Sequence, residues 1–145
     1  MLDVLLAIGH HLLIFGIFGI ICAEFWAVRP GLSGAMVARI ASIDLWYGIM
    51  ATAVLVIGFS RAIFAAKGWG YYSHNAFFWA KLGTFAAVGL LSLPPTLGFM
   101  RWRKLALQPT EGDIKRVRRY LHLEVALFML LPVFAAAMAR GYGEF

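Results

Sequence analysis

At 145 residues, 62% hydrophobic and 14% charged, with a mean hydropathy of +0.80, the chain carries too little polar surface for a water-soluble globule of its size. Its net charge of +6 would suit nucleic acid, but the charge is gathered in two loops between apolar runs, which excludes that partner and marks topology instead. The single cysteine, Cys22, sits inside an apolar run, so a disulfide framework, a cysteine-rich metal site and covalent haem attachment are excluded.

Four apolar runs, residues 4–28, 45–64, 77–100 and 120–138, each reach the ~20 residues that cross a bilayer. They predict one all-α domain, an integral membrane four-helix bundle spanning residues 1–145. Nine of the thirteen Lys and Arg fall between spans one and two (Arg29, Arg39) or between spans three and four (Arg101, Arg103, Lys104, Lys115, Arg116, Arg118, Arg119). Arg61, Lys67, Lys81 and Arg140 lie toward the other side. The positive-inside rule then puts both loops in the cytoplasm and both termini outside, as expected of a multi-pass protein of a bacterial inner membrane, with anionic lipid as a secondary contact.

The first span opens Met1-Leu2-Asp3 without a basic leader and holds two histidines and a glutamate, so it is read as a retained span rather than a cleaved signal. Gly9, Gly16, Gly19 and Ala23 form a small-residue stripe suited to close helix contact, either within the bundle, with a second copy of the chain or with a larger membrane complex. His10, Ile14, Ile17, Ile21 and Glu24 share a second face, polar at both ends. After Arg29-Pro30-Gly31, Ser33 can cap a short helix whose Met36, Val37 and Ile40 would rest on the membrane surface. Asp44 is expected in the first turn of span two, where a negative charge suits the helix dipole. Arg61, at the far end of that span, would snorkel toward the outer surface.

An outer loop, residues 65–75, carries Trp69, Tyr71 and Tyr72 for an interfacial aromatic belt. Span three holds one lysine, Lys81, followed at helical spacing by Thr84, Val88 and Ser92, a stripe expected to face inward, and one breaker, Pro94-Pro95. Thr110 and Asp113 predict a capped helix start, and Ile114, Val117 and Leu121 continue it as an extension into span four, which Pro132 should kink. No internal repeat and no low-complexity tail is present.

Counting along the helices gives two polar layers, separated by roughly 15 to 20 Å at ~1.5 Å per residue. The outer layer holds His10, His11, Lys81 and Arg61. Neutral imidazole ligates haem iron, so His10 or His11 is a candidate axial or metal ligand, Lys81 a second ligand or propionate partner, and Arg61 a propionate partner. Adjacent histidines point about 100° apart on a helix, so only one of the two can serve. The inner layer holds Glu24, His122 and Glu124, three groups suited to proton exchange. Against each stands a structural role: a hydrogen bond to a neighbouring helix, an ion pair, or a place at the interface.

The segments His10-His11-Leu12-Leu13, Gly70-Tyr71-Tyr72-Ser73-His74-Asn75-Ala76-Phe77-Phe78-Trp79-Ala80-Lys81-Leu82 and Leu93-Pro94-Pro95-Thr96 with Arg101-Trp102-Arg103 resemble an uncharacterised family of bacterial four-span membrane proteins. Distantly, the chain is similar to the four-helix type of protoporphyrinogen oxidase and to copper-resistance membrane proteins. In that oxidase group a first-span histidine and a third-span Lys-Leu accompany haem b, which here would match His10 or His11 and Lys81-Leu82; Trp79 stands where the oxidase pattern tends to have a histidine nearby. The resemblance implies haem b and electron exchange with a quinone or porphyrin. Two other functions remain open from the residues themselves: a small metal-ion or proton transporter, and an accessory subunit of a larger complex.

Overall fold

The computed structural model describes residues 1–64 and 68–145. Lys67, expected among the outer-side cations, and the first residues of the 65–75 loop lie outside the described residues. In chain order the helices are α1 (Leu2–Ala27), α2 (Gly34–Phe64), α3 (Gly68–Ser73), α4 (Ala76–Lys104), α5 (Glu111–Phe128) and α6 (Leu130–Ala139). Four stretches, Asp3–Ala27, Gly34–Phe64, Ala76–Lys104 and Glu111–Ala139, are long and apolar enough to cross a membrane. α5 and α6 together make the fourth. They part at Met129, three residues before Pro132, whose ring clashes with the carbonyl four residues back and so breaks the helix there.

Three expectations are corrected at the end of the bundle that carries the basic loops. The separate surface helix after Ser33 does not form. Ser33 does cap, accepting from the Met36 N–H at 3.3 Å, but no breaker follows before Phe64, so the helix runs on as α2. Val37 and Ile40 are buried in a cluster with Val28, Phe99, Trp102, Ile114, Val117 and Leu121, because the extension of α5 supplies the apolar partner that the membrane surface was expected to give. Asp44 therefore lies about three turns inside α2, beyond the reach of a helix-dipole effect confined to the first turn. Pro94 and Pro95, expected to break span three, sit inside an unbroken α4. They remove two backbone donors, which frees the carbonyls of Leu90 and Leu91 four residues earlier.

Other expectations hold. Thr110 and Asp113 form a reciprocal cap: the Asp113 N–H donates to Thr110 Oγ1 at 3.2 Å and the Thr110 N–H donates to Asp113 Oδ2 at 3.1 Å. Ile17, Ile21 and Glu24, on the second face of α1 that is polar at both ends, are buried. Val88 and Ser92 are buried on the predicted stripe of α4. The glycine stripe is divided: a side chain at Gly16 would strike Met50 and one at Gly9 would reach Ile57, so both face α2, whereas Gly19 looks into open space. The short α1–α2 connection forces these helices into antiparallel contact, and the stripe serves that contact first.

The motif Tyr71-Tyr72-Ser73-His74-Asn75 is a structural clamp. Asn75 Oδ1 caps α4, accepting from the N–H groups of Phe77 and Phe78 at 2.9 and 3.3 Å. Its Nδ2 donates to the Tyr142 carbonyl at 3.0 Å. Tyr71 Oη donates to the Met138 carbonyl at 2.8 Å, and the Ala76 N–H donates to the Gly143 carbonyl at 2.7 Å. Asn75 is 0% exposed, so its own side-chain bonds meet little competition from water. Asn75→Ala should lower stability by about 2 kcal/mol, from the lost cap and the orphaned tail carbonyl; Asn75→Asp, which keeps the accepting oxygen, should recover about half. Thermal unfolding in detergent reads both.

Candidate functional site: two polar layers in a four-helix bundle

Two apolar clusters divide the bundle, and the polar groups lie against their ends. One cluster, around Val37, Phe99, Trp102 and Leu121, seals the basic-loop end. The other, around Ile17, Ile21, Val54, Val88, Phe128 and Leu131, fills the middle. Along α4, Lys81 stands above the middle cluster and Ser92 below it, about 16 Å apart at the helical rise.

In the layer near the termini, Gly58 of α2 opens the space that the His10 ring of α1 occupies: a side chain there would come within 3.2 Å of His10 Cε1. His10 Nδ1 is buried with no hydrogen-bond partner. It borders a cavity of about 70 Å³ that Ile14, Val54, Phe59, Phe78, Lys81 and Phe85 help to line. The structure thus brings His10 and Lys81 together and sets His11 apart: His11 is exposed, and its Nδ1–H donates to the Ala7 carbonyl of its own helix at 2.7 Å. Arg61 Nε lies 3.7 Å from Asp3 Oδ1, so Arg61 has an acidic partner within the chain and Lys81 has none among the described residues. His74, at the same end, donates from Nδ1 to the Gly70 carbonyl at 2.9 Å and belongs to the clamp.

The deeper layer is built by all four spans. Glu24 of α1, Asp44 of α2 and Glu124 of α5 are 3%, 6% and 1% exposed, and Glu24 lies within electrostatic range of both other carboxyls. Asp44 Oδ1 accepts from Thr96 Oγ1 of α4 at 2.8 Å. Tyr47, one helical turn beyond Asp44, meets the Ser92 side chain. Glu24 Oε1 and Glu124 Oε1 are buried without any hydrogen-bond partner. His122 is not part of this layer. It is exposed on the far side of α5, its ring edge-on to Phe25 at 4.5 Å, in a basic surface groove with Lys115, Arg118 and Arg119. Two residues along a helix turn a side chain by about 200°, so a shared level with Glu124 does not give a shared face.

Arg118, on the same helix as Glu124, is committed elsewhere. Arg118 Nη donates to the carbonyls of Phe25 and Val28 at 3.2 and 2.7 Å, closing the end of α1, and its guanidinium lies 4.6 Å over the Phe25 ring. Three buried carboxyls with no basic partner among the described residues cost on the order of several kcal/mol each if ionised. Charge balance there requires bound protons or a cation. Among the described residues, no group of three or more His, Cys, Asp or Glu is arranged to hold a metal ion.

A family profile described as "Predicted membrane protein (DUF2214)" matches residues 2–143. The chain belongs to this DUF2214 family. No curated protein and no solved structure matches it, and a similarity to protoporphyrinogen oxidases or copper-resistance proteins is not shown.

In this DUF2214 protein, sequence reasoning found Glu24, Glu124, His10 and Lys81 but missed four residues that shape the site. Asp44 was assigned to a helix end, Gly58 carried no local signal, Thr96 followed a supposed breaker, and Arg118 was one basic residue among several. The unbroken run from Gly34 to Phe64 was the available clue for Asp44. The others become visible only when helices are brought together.

Proposed function

We propose that the protein conducts protons across the membrane, directly or coupled to a solute, with Glu24, Asp44 and Glu124 as an occluded relay station. The observation that supports this reading is the layer itself: three carboxyls from three helices, each more than nine-tenths buried, two of them with an oxygen that bonds to nothing. Intramembrane ionisable groups are costly and are kept where a charge must pass. Tyr47, Ser92 and Thr96 add hydroxyls that both donate and accept, as a relay needs. The apolar clusters above and below keep the station out of contact with either side until helices shift, so transfer is gated rather than leaky. Reconstituted into vesicles with an internal pH dye, the protein should collapse an imposed pH gradient faster than protein-free vesicles. Equal rates would remove the reading and leave the accessory-subunit role.

The haem b reading uses the layer near the termini, where the bare His10 Nδ1 would be the axial ligand. As folded, that layer does not fit the group. Pockets for molecules of this class run to roughly 300–1,000 Å³, against about 70 Å³ here, and His11 and Arg61, a candidate ligand and a candidate propionate partner, are otherwise engaged. Purified protein expressed with ample haem should show no Soret band that shifts on dithionite reduction; such a band would restore haem, with porphyrin or quinone as its redox partner.

A further inference from the structure

The cavity beside His10 has a chemistry of its own that proton conduction does not use. Its walls are apolar, from Ile14, Val54, Phe59, Phe78, Phe85 and Leu131, and its polar end holds His10 Nδ1, which has no hydrogen-bond partner, and the ammonium of Lys81, which has no acidic partner among the described residues. The charge balance of the layer is uneven. Arg61 is set against Asp3 at 3.7 Å, so one positive charge, that of Lys81, is left over inside an apolar pocket. Leu55 and Phe59, which also line the cavity, are 39% and 37% exposed on the lipid-facing surface of the bundle. The cavity therefore opens sideways, toward acyl chains, and not only along the bundle axis.

From these features we infer that the cavity binds a single-chain lipophilic carboxylate, a long-chain fatty acid, with its head between Lys81 and His10 and its chain leaving past Leu55 and Phe59 into the bilayer. One negative charge completes the local balance. At about 70 Å³ the space holds a few waters' volume, enough for a carboxylate and the first carbons behind it but too small for a larger head. A carboxylate accepts from the Lys81 ammonium, whereas a neutral head would leave that charge unpaired and desolvated. The lysine's four-carbon stem packs along the apolar wall while its head addresses the ligand.

The test uses the whole protein in nanodiscs of zwitterionic lipid with a fluorescent long-chain fatty acid as probe. Saturable binding near one probe per chain is expected, displaced by oleate at least about tenfold better than by oleyl alcohol, in line with a charge-assisted hydrogen bond. Lys81→Met should weaken binding by about tenfold or more on the same ground. Leu55→Trp, a lipid-facing change that leaves the core alone, should obstruct the mouth and lower binding, which keeps the test usable if Lys81→Met does not fold. Equal displacement by oleate and oleyl alcohol, displacement by phosphatidylglycerol as effective as by oleate, or unchanged binding in both variants would each overturn the assignment. None of these readouts depends on proton flux, so the two proposals fail separately.

Discussion

Replacing Glu24 and Glu124 together with glutamine is expected to lower proton flux by at least about tenfold, equivalent to about 1.4 kcal/mol in the barrier, while leaving the bundle as stable as before or more so. The two effects go in opposite directions for one reason. Each carboxyl is buried with an oxygen that has no partner and has no ion-paired cation among the described residues, so its presence costs folding free energy. Glutamine keeps the shape and removes the ionisable proton site. A glutamine in place of each carboxyl removes the desolvation cost that an ionised form would carry, so the change is expected to be neutral or stabilising. A layer kept only for structure would behave the other way: its loss would lower the melting temperature, and flux would not change. Glu111, exposed in the first turn of α5, supplies the control, since Glu111→Gln removes a carboxyl from the same helix and should leave flux as it was. Vesicle flux and detergent thermal unfolding, measured on the same preparations, separate the outcomes.

How much of this was legible in the sequence depends on whether depth or direction was being read. Depth follows from counting residues along a helix, and the four spans and the two polar levels came out of that count. Direction around a helix, and the place where a helix begins, did not. His122 shares a level with Glu124 but faces Phe25 and the surface groove, and only the contact of α5 with α1 decides this. Asp44 was set at a helix start because hydropathy marks where a segment becomes apolar, whereas the helix had begun ten residues earlier at Gly34. Pro94-Pro95 was read as a break, yet packing of α4 against α2, α5 and α6 holds the helix through both. Local propensity loses there to tertiary contact. The Tyr-Tyr-x-His-Asn motif was the most conspicuous short pattern outside the spans, and it holds the chain's end rather than the chemistry.

Arg118→Ala should be the most destabilising single change considered, by about 2 to 4 kcal/mol, and should also disturb flux. Arg118 donates to two α1 carbonyls, Phe25 at 3.2 Å and Val28 at 2.7 Å, and covers the Phe25 ring. Val28 is buried at 0% exposure, so its carbonyl would have to find water that the apolar cluster excludes. The α1 end would fray to regain it. Glu24 lies one turn before Val28, whose N–H bonds to the Glu24 carbonyl at 2.9 Å, so fraying would loosen the backbone that carries the carboxyl. Arg118→Lys keeps the charge but offers a compact ammonium in place of a planar fork, and should recover roughly half of the stability. The pattern then distinguishes position from chemistry: Arg118→Ala lowers stability and flux together, and a ligand or lipid that restores its melting temperature should restore flux. The Glu24 and Glu124 double variant loses flux alone, and no gain in stability brings it back. If Arg118→Ala melts like the parent, the guanidinium is not the tie that holds α1 to α5, and the position of Glu24 must be fixed by the packing of Ile17 and Ile21 on the middle cluster instead.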